Sequence, residues 1–274
     1  MIRLISIFVG LFFTVALAWS LTLDSIQLGK DGLPKTAAKE FGKAHELKTL
    51  KLASDGPFGK YDKAQLKRGF EVYSGVCASC HSLKQVAYRD LVHVGFTPAE
   101  VKDIAAKATI NAKDPLSGEM KDRPGTPADH FPPVVYAGNG TPPDLSLITK
   151  ARHGGAAYVY SLLTGYEATQ PAKLIKEFPD SKTGEGMHYN PYFANLNIAM
   201  PPPLATDGLV TYSDGTKATK DQMAQDVAAF LVWAAEPELE QRHQTGTWWV
   251  VFMLFVTVLG YMSYRNIWAE KKGH

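Results

Sequence analysis

Hydrophobic residues crowd the two ends of this chain and thin out between them. From Leu4 to Trp19 no charge interrupts the apolar run, and Arg3 stands just before it. Ala16-Leu17-Ala18 then supplies small residues at the spacing of a cleavage site. A basic residue, a short apolar core and a small-residue pair predict a secretory signal over residues 1–18, the run being short for a bilayer span. The second stretch, Gln244–Tyr264, also lacks any charged residue. As a helix rising ~1.5 Å per residue it would extend about 30 Å, the thickness of a hydrocarbon core. Trp248 and Trp249 stand at one end and Tyr261, Tyr264 and Trp268 at the other, as interfacial aromatic belts do. A core helix of that length would carry a polar face. Residues 244–264 are therefore expected to span a membrane. Arg265, Lys271 and Lys272 follow, which predicts a cytoplasmic tail over 265–274 and places the body outside. The two ends of the chain thus predict one topology.

The body, residues 19–243, is polar and rich in Gly and Pro. Asp24–Lys60 shows little periodicity and reads as an extended or partly helical lead-in. From Lys63, Leu66, Phe70 and Tyr73 recur at helical spacing and lead into Val76 and Cys77. Pro98–Lys107 is expected to be a helix with Thr97 as N-cap and Glu100 completing a capping box. Lys113–Pro133 and Pro171–Asn190 read as loops, and Ala156–Gly165 as a short buried helix. Asp214-Gly215 predicts a small hairpin over Leu209–Lys217. Asp221–Ala235 has the clearest helical pattern: Thr219 and Gln222 propose a capping box, and Met223, Val227, Phe230, Leu231 and Ala234 form one apolar face. After Pro237, Glu238–Gln244 should continue as one helix into the span.

The formal net charge is +2, close to neutral, which gives no sign of a nucleic-acid partner. Cysteine usage changes the picture. The chain has two cysteines, and both fall in Cys77-Ala78-Ser79-Cys80-His81, the spacing of covalent c-type haem attachment. Two thiols three positions apart on one turn can reach the vinyl groups on one porphyrin edge, and the adjacent imidazole then faces the iron. A structural zinc site would need four ligands, and no second cysteine pair supplies them. A thioredoxin-like dithiol would sit in a βαβ pattern, which is missing around it. Export agrees with haem, since covalent attachment in bacteria takes place outside the inner membrane. One covalently bound haem c, with His81 as an iron ligand, is the expected cofactor.

A second axial ligand decides between electron transfer and an open, reactive iron. Met120, Met187, Met200 and Met223 lie in the body, and His93, His130, His153 or His188 could substitute. Met223 falls on an apolar helix face and reads as core packing, whereas Met120 and Met187 lie in very polar segments. Met200 precedes Pro201-Pro202-Pro203, whose fixed backbone can hold a sulfur rigidly. On chemistry Met200 is favoured. An open iron site, as in a gas sensor or haem enzyme, requires that Met200 not bind.

Together these residues resemble the cytochrome c1 family. The resemblance rests on Val76-Cys77-Ala78-Ser79-Cys80-His81-Ser82, Pro142-Pro143-Asp144-Leu145-Ser146, Ala151-Arg152-His153-Gly154-Gly155, Tyr158, Ser161-Leu162-Leu163-Thr164-Gly165-Tyr166 and Ile198-Ala199-Met200-Pro201-Pro202-Pro203-Leu204. It implies a mostly α fold, a class I-like cytochrome c domain with long loops and a single C-terminal transmembrane helix. It implies His81 and Met200 as iron ligands, and Arg152 beside a haem propionate with Tyr158 near it. Pro142 and Pro143 would form the segment facing His81, where a carbonyl could accept the imidazole N–H. Leu162, Leu163, Phe193 and Ile198 would be apolar haem contacts. The resemblance further implies a dimeric bc1 complex of a respiratory or photosynthetic chain, in a bacterial inner membrane with the haem on the periplasmic side. There the chain would sit with cytochrome b and the Rieske iron–sulfur subunit and pass electrons to a soluble or membrane-bound cytochrome c. No substrate bond would break on this chain. Segments 113–131 and 168–189 carry none of these motifs. A haem subunit of a terminal oxidase would share the haem motif and the anchor but not the surroundings of Arg152 and Pro202.

Overall fold

A computed structural model describes residues 2–32, 35–114, 118–138 and 140–269. Helix α1, Ile2–Asp31, contains the N-terminal apolar run and continues beyond it, so the helix as a whole is long and apolar enough to cross a membrane. The lead-in holds one short helix, α2 (Ala37–Phe41), capped by the Thr36 hydroxyl, and then runs extended. Helix α3, Lys63–Gly75, begins at Asp62, whose carboxylate accepts the Ala64 and Gln65 amides. Its buried face is Leu66, Gly69, Phe70, Val72 and Tyr73, the periodic set expected for it. A single 3-10 turn, Cys77–Ser79, follows.

After α4 (Leu91–Val94), helix α5 (Pro98–Ala106) carries the complete capping box of Thr97 and Glu100. A two-stranded antiparallel hairpin follows, β1 (Thr109–Lys113) and β2 (Met120–Pro124), with β2 inside the stretch expected to be loop. No residue of either strand is buried, so no alternation of apolar positions announced them. Helix α6 (Ile148–Ala151) leads into α7 (Gly155–Thr164), which buries Val159 and Ser161 but leaves most of its apolar side chains half exposed. The second expected loop contains helix α8 (Ala172–Glu177) and strand β3 (His188–Tyr189), which pairs antiparallel with β4 (Asn197–Ile198).

Helix α9, Lys220–Ala235, is the centre of the core: Met223, Val227, Phe230, Leu231 and Ala234 are all buried. Its cap is half of the expected box. The Thr219 hydroxyl accepts the Gln222 amide, but the Gln222 side chain turns inward to Asp226 instead. Helix α9 crosses α3 at Gly69, where a Cβ would lie 2.1 Å from the Asp226 carbonyl oxygen and 2.6 Å from the Phe230 Cβ. Only glycine permits that approach. The fully buried Asp226 carboxylate is held at the same crossing by the Arg68 guanidinium, with a nitrogen–oxygen distance of 2.9 Å. Leu209–Lys217 turns at Gly215 as expected but forms no strand pair. It is tied to α3 instead: the Ser213 amide donates to Glu71, and the Asp214 side chain pairs with Arg68.

Helix α10, Leu239–Ala269, continues from the body as one helix and contains the expected span of residues 244–264. Its apolar surface is fully exposed beyond Leu239, as suits a helix surrounded by lipid or other spans. The body grips its first turns. Glu240 accepts the Tyr61 amide at 2.8 Å, and the His243 Nδ1 meets the Gly59 carbonyl at 3.2 Å. Lys150 and Arg242 both reach Glu236 at the joint between α9 and α10. Lys271 and Lys272 of the tail lie outside the described residues.

Candidate functional site

The Cys77–Ser79 turn is tight: the amides of Cys80 and His81 both donate to the Cys77 carbonyl, at 3.1 and 2.9 Å. This winding puts two thiols and an imidazole on one short arc. Cys77 packs against the main core, and burial pushes its thiol up to about 12, with Cys80 adding to the effect. Cys80 borders a small hollow with Ser82, Val134, Tyr136 and Pro142.

His81 is oriented by its neighbours. Its Nδ1 lies 2.8 Å from the Pro143 carbonyl oxygen. A carbonyl can only accept, so Nδ1 is the donor in this contact, and in the neutral ring Nε2 keeps its lone pair. That is the tautomer a metal-bound imidazole needs. Pro142 precedes this acceptor and is half buried, without such a contact of its own. What holds the Pro143 carbonyl in place was not legible as function. The Asp144 carboxylate accepts the amides of Lys84 and Ser146, each at 2.9 Å, and the buried Ser146 hydroxyl accepts the Gln85 amide. The Ser82 carbonyl accepts the Leu145 amide at 2.9 Å. From the other flank, the Tyr73 hydroxyl donates to the His81 carbonyl at 3.0 Å.

The remaining expected residues gather on α7 and the loop that follows β3. Arg152 is exposed just ahead of α7, next to the half-buried Tyr158. Burial raises the Tyr158 hydroxyl, and the charge of the nearby Arg152 guanidinium pulls it partly back. Leu162 and Leu163 are half exposed on α7, with Leu163 packed against the core that also holds Cys77. The Leu162 carbonyl accepts the side-chain amide of the fully buried Asn190 at 2.8 Å. Asn190 also accepts the Tyr192 amide on its own side-chain oxygen. Phe193 lies on the tight turn that Asn190 starts, and this turn closes at Leu196 with a positive φ of 63°. Ile198 is buried and pairs with His188 across β3 and β4. Met200 follows, half exposed, with its carbonyl accepting the Tyr166 hydroxyl at 3.0 Å. Leu145, next to the Pro143 segment, and Leu204, beyond Met200, belong to one buried cluster. The two groups of residues therefore share a core.

The other ligand candidates separate by burial. Met223 is fully buried in α9, and Met120 is 61% exposed on β2. His93, His130 and His153 are exposed, whereas Met187 and His188 are half buried on the hairpin that leads to Met200.

This donor set fits a c-type haem. It offers two thiols on one turn for the vinyl groups, an imidazole with its free nitrogen fixed, a thioether on a braced segment, and half-exposed apolar side chains for a ring to cover. Tyr73, Asp144, Ser146, Tyr166 and Asn190 took no role from the sequence, because each acts by a hydrogen bond to backbone distant along the chain.

Known proteins agree with this reading. The family model for the cytochrome C1 family matches residues 52–271. A cytochrome c1 of Rhodospirillum rubrum is 44% identical over 233 residues, covering 79% of this chain and 85% of that protein. The mitochondrial cytochrome c1-2 heme protein of Solanum tuberosum is 46% identical over 226 residues, 79% of this chain and 83% of its own. A cytochrome b/c1 of Bradyrhizobium diazoefficiens is 40% identical over 237 residues, covering 78% of this chain and 34% of that longer protein. The chain belongs to the cytochrome c1 family, the haem-bearing subunits of the bc1 complex, and Cys77-Ala78-Ser79-Cys80-His81 fits the haem-binding motif of that family.

Proposed function

We propose that this chain is an electron carrier that takes electrons from the Rieske iron–sulfur subunit and delivers them to a cytochrome c. Its haem would be linked to Cys77 and Cys80 and ligated by His81 and Met200. The observation that carries this reading is the 2.8 Å contact between the His81 Nδ1 and the Pro143 carbonyl, the kind of bond that orients a metal-bound imidazole and leaves Nε2 for the metal. When bound, the haem supplies a one-electron couple whose potential is set by its axial ligands and surroundings. On this reading the protein residues would orient the imidazole and hold the thioether, and Arg152 beside Tyr158 would supply the cation that a propionate carboxylate needs. Leu162, Leu163, Phe193 and Ile198 would exclude water from the ring faces. The chain would carry electrons and break no substrate bond.

The fused cytochrome b/c1 relative supports cytochrome b as a neighbour in the membrane. The first 18 residues would direct export, and α10 would anchor the body on the periplasmic side of a bacterial inner membrane, with Arg265 on the cytoplasmic side. A C-terminal tag resistant to protease added to spheroplasts, and cut once the inner membrane is breached, checks that orientation. A tag cut in intact spheroplasts reverses it.

The ligand assignment is tested by optical spectra and redox titration of the purified membrane protein and of Met200→Leu. Ligation by Met200 predicts a weak charge-transfer band at the red end of the oxidised spectrum. The variant should lose that band, and its potential should fall by on the order of 100 mV or more. A variant with unchanged band and potential removes Met200 as ligand and favours an open iron site.

A further inference from the structure

We infer that Tyr166 is a positioning residue for the sixth iron ligand, holding the Met200 sulfur in place through the Met200 backbone. The inference rests on the assignment of Met200 proposed above. Met200 sits just past a two-rung hairpin and directly before three prolines. Prolines 201–203 stiffen the chain beyond it but offer no N–H to tie it down. The Met200 backbone is tied to the rest of the fold by the bond from the Tyr166 hydroxyl to its carbonyl, at 3.0 Å.

Tyr166 is itself well held. It follows Gly165 at the C-terminal end of α7, where a Cβ would lie 2.3 Å from the Tyr192 ring and 2.5 Å from the Ser161 carbonyl. Only glycine lets the chain leave α7 so close to Tyr192. The preceding residue, Thr164, is clamped from outside by the Lys48 ammonium, 2.8 Å from its hydroxyl and 3.0 Å from its carbonyl. The ring that donates to Met200 therefore projects from a fixed helix end, and Asn190 anchors the start of the same loop to the Leu162 carbonyl of that helix. Loop and helix end form one unit on which the methionine is carried. Loss of the hydroxyl should let the loop drift and the sulfur leave the iron more often, while the core and the covalent attachment remain.

The test uses the membrane-bound holoprotein with Tyr166→Phe, which keeps the ring and removes the donor. Carbon monoxide, which competes with the thioether for reduced iron, should bind about fivefold more readily, the factor one ordinary net hydrogen bond is worth. The potential should fall, and the red-end band should weaken without disappearing. Haem content should stay unchanged. Met200→Leu is run beside it. If Met200→Leu alters the band and potential while Tyr166→Phe behaves as the parent, the positioning role is overturned alone. If Met200→Leu changes nothing, the ligand assignment and the positioning role fall together. Should Tyr166→Phe fail to mature, fluorotyrosine at position 166 keeps ring and hydroxyl while strengthening donation. It should slow carbon monoxide binding below the parent rate, and an unchanged or faster rate overturns the inference.

Discussion

The two faces of the haem site are held in different ways. On the His81 face, attachment would be covalent through Cys77 and Cys80, and the backbone around it is pinned several times over. Pro143, Tyr73, Asp144, Ser146 and Ser82 each contribute a hydrogen bond to the segment from His81 to Gln85 or to its partner loop. On the Met200 face, the loop ahead of the methionine is tied to α7 by Asn190, to the Ser181–Thr183 segment by Asn197 and to Lys43 and Glu167 by backbone bonds, whereas Met200 itself is reached through its carbonyl by the Tyr166 hydroxyl, and the loop stores strain at Leu196, a buried non-glycine residue with φ of 63°. Backbone strain of that kind persists where surrounding contacts over-determine it, and it gathers at functional sites. The difference separates two tasks. On the proposed ligation, one face would secure the cofactor, and the other would set how firmly the sixth ligand stays on the iron. Because Tyr166 bonds the Met200 residue itself, a change of that one side chain should tune potential without endangering the fold.

The largest expected effect comes from striking the frame that both faces share. Gly69→Ala drives a methyl group into the Asp226 carbonyl and the Phe230 side chain at the crossing of α3 and α9. Helix α3 leads into Cys77, and α9 supports α7 and α6, with the Leu231 carbonyl accepting the Thr149 hydroxyl. Overpacking against backbone at such a point should cost about 3 kcal/mol. Thermal unfolding should drop by many degrees, and haem content should fall with it. An unchanged melting temperature would mean that the two faces do not depend on one crossing.

How much of this was legible in the residues follows the same division. The Cys77–His81 motif is local, so its chemistry could be read from five consecutive positions. Helices α3 and α9 announced themselves by apolar positions at helical spacing, α5 by the capping residues Thr97 and Glu100, and α9 also by Thr219. The hairpin of β1 and β2 gave no such signal, since neither strand buries a residue. Leu209–Lys217 misled for another reason. Its turn residues are those of a hairpin, but Arg68 and Glu71 of α3 capture its polar groups, and its arms form no strand pair with each other. Tyr166 could be placed in a motif but not given a task. Its partner lies 34 residues away and is a carbonyl, which every residue has.

A smaller change sharpens the comparison from the His81 face. Asp144→Ala removes the acceptor for the amides of Lys84 and Ser146 and loosens the segment that presents the Pro143 carbonyl. Losing two backbone acceptors of this kind should destabilise the domain by about 1–2 kcal/mol. Tyr73 still holds the His81 carbonyl, Ser82 still accepts the Leu145 amide, and two thioether links would keep the haem in place. The melting temperature should therefore fall while haem content, the red-end band and carbon monoxide binding stay close to those of the parent. Tyr166→Phe should give the opposite pattern, with a nearly unchanged melting temperature and a changed ligand signature. Asp144→Asn, which keeps one carbonyl acceptor, should recover part of the lost stability. The distinction between a securing face and a tuning face breaks if Asp144→Ala releases Met200 from the iron as readily as Tyr166→Phe does. Control of the sixth ligand would then pass through the whole domain rather than through the end of α7.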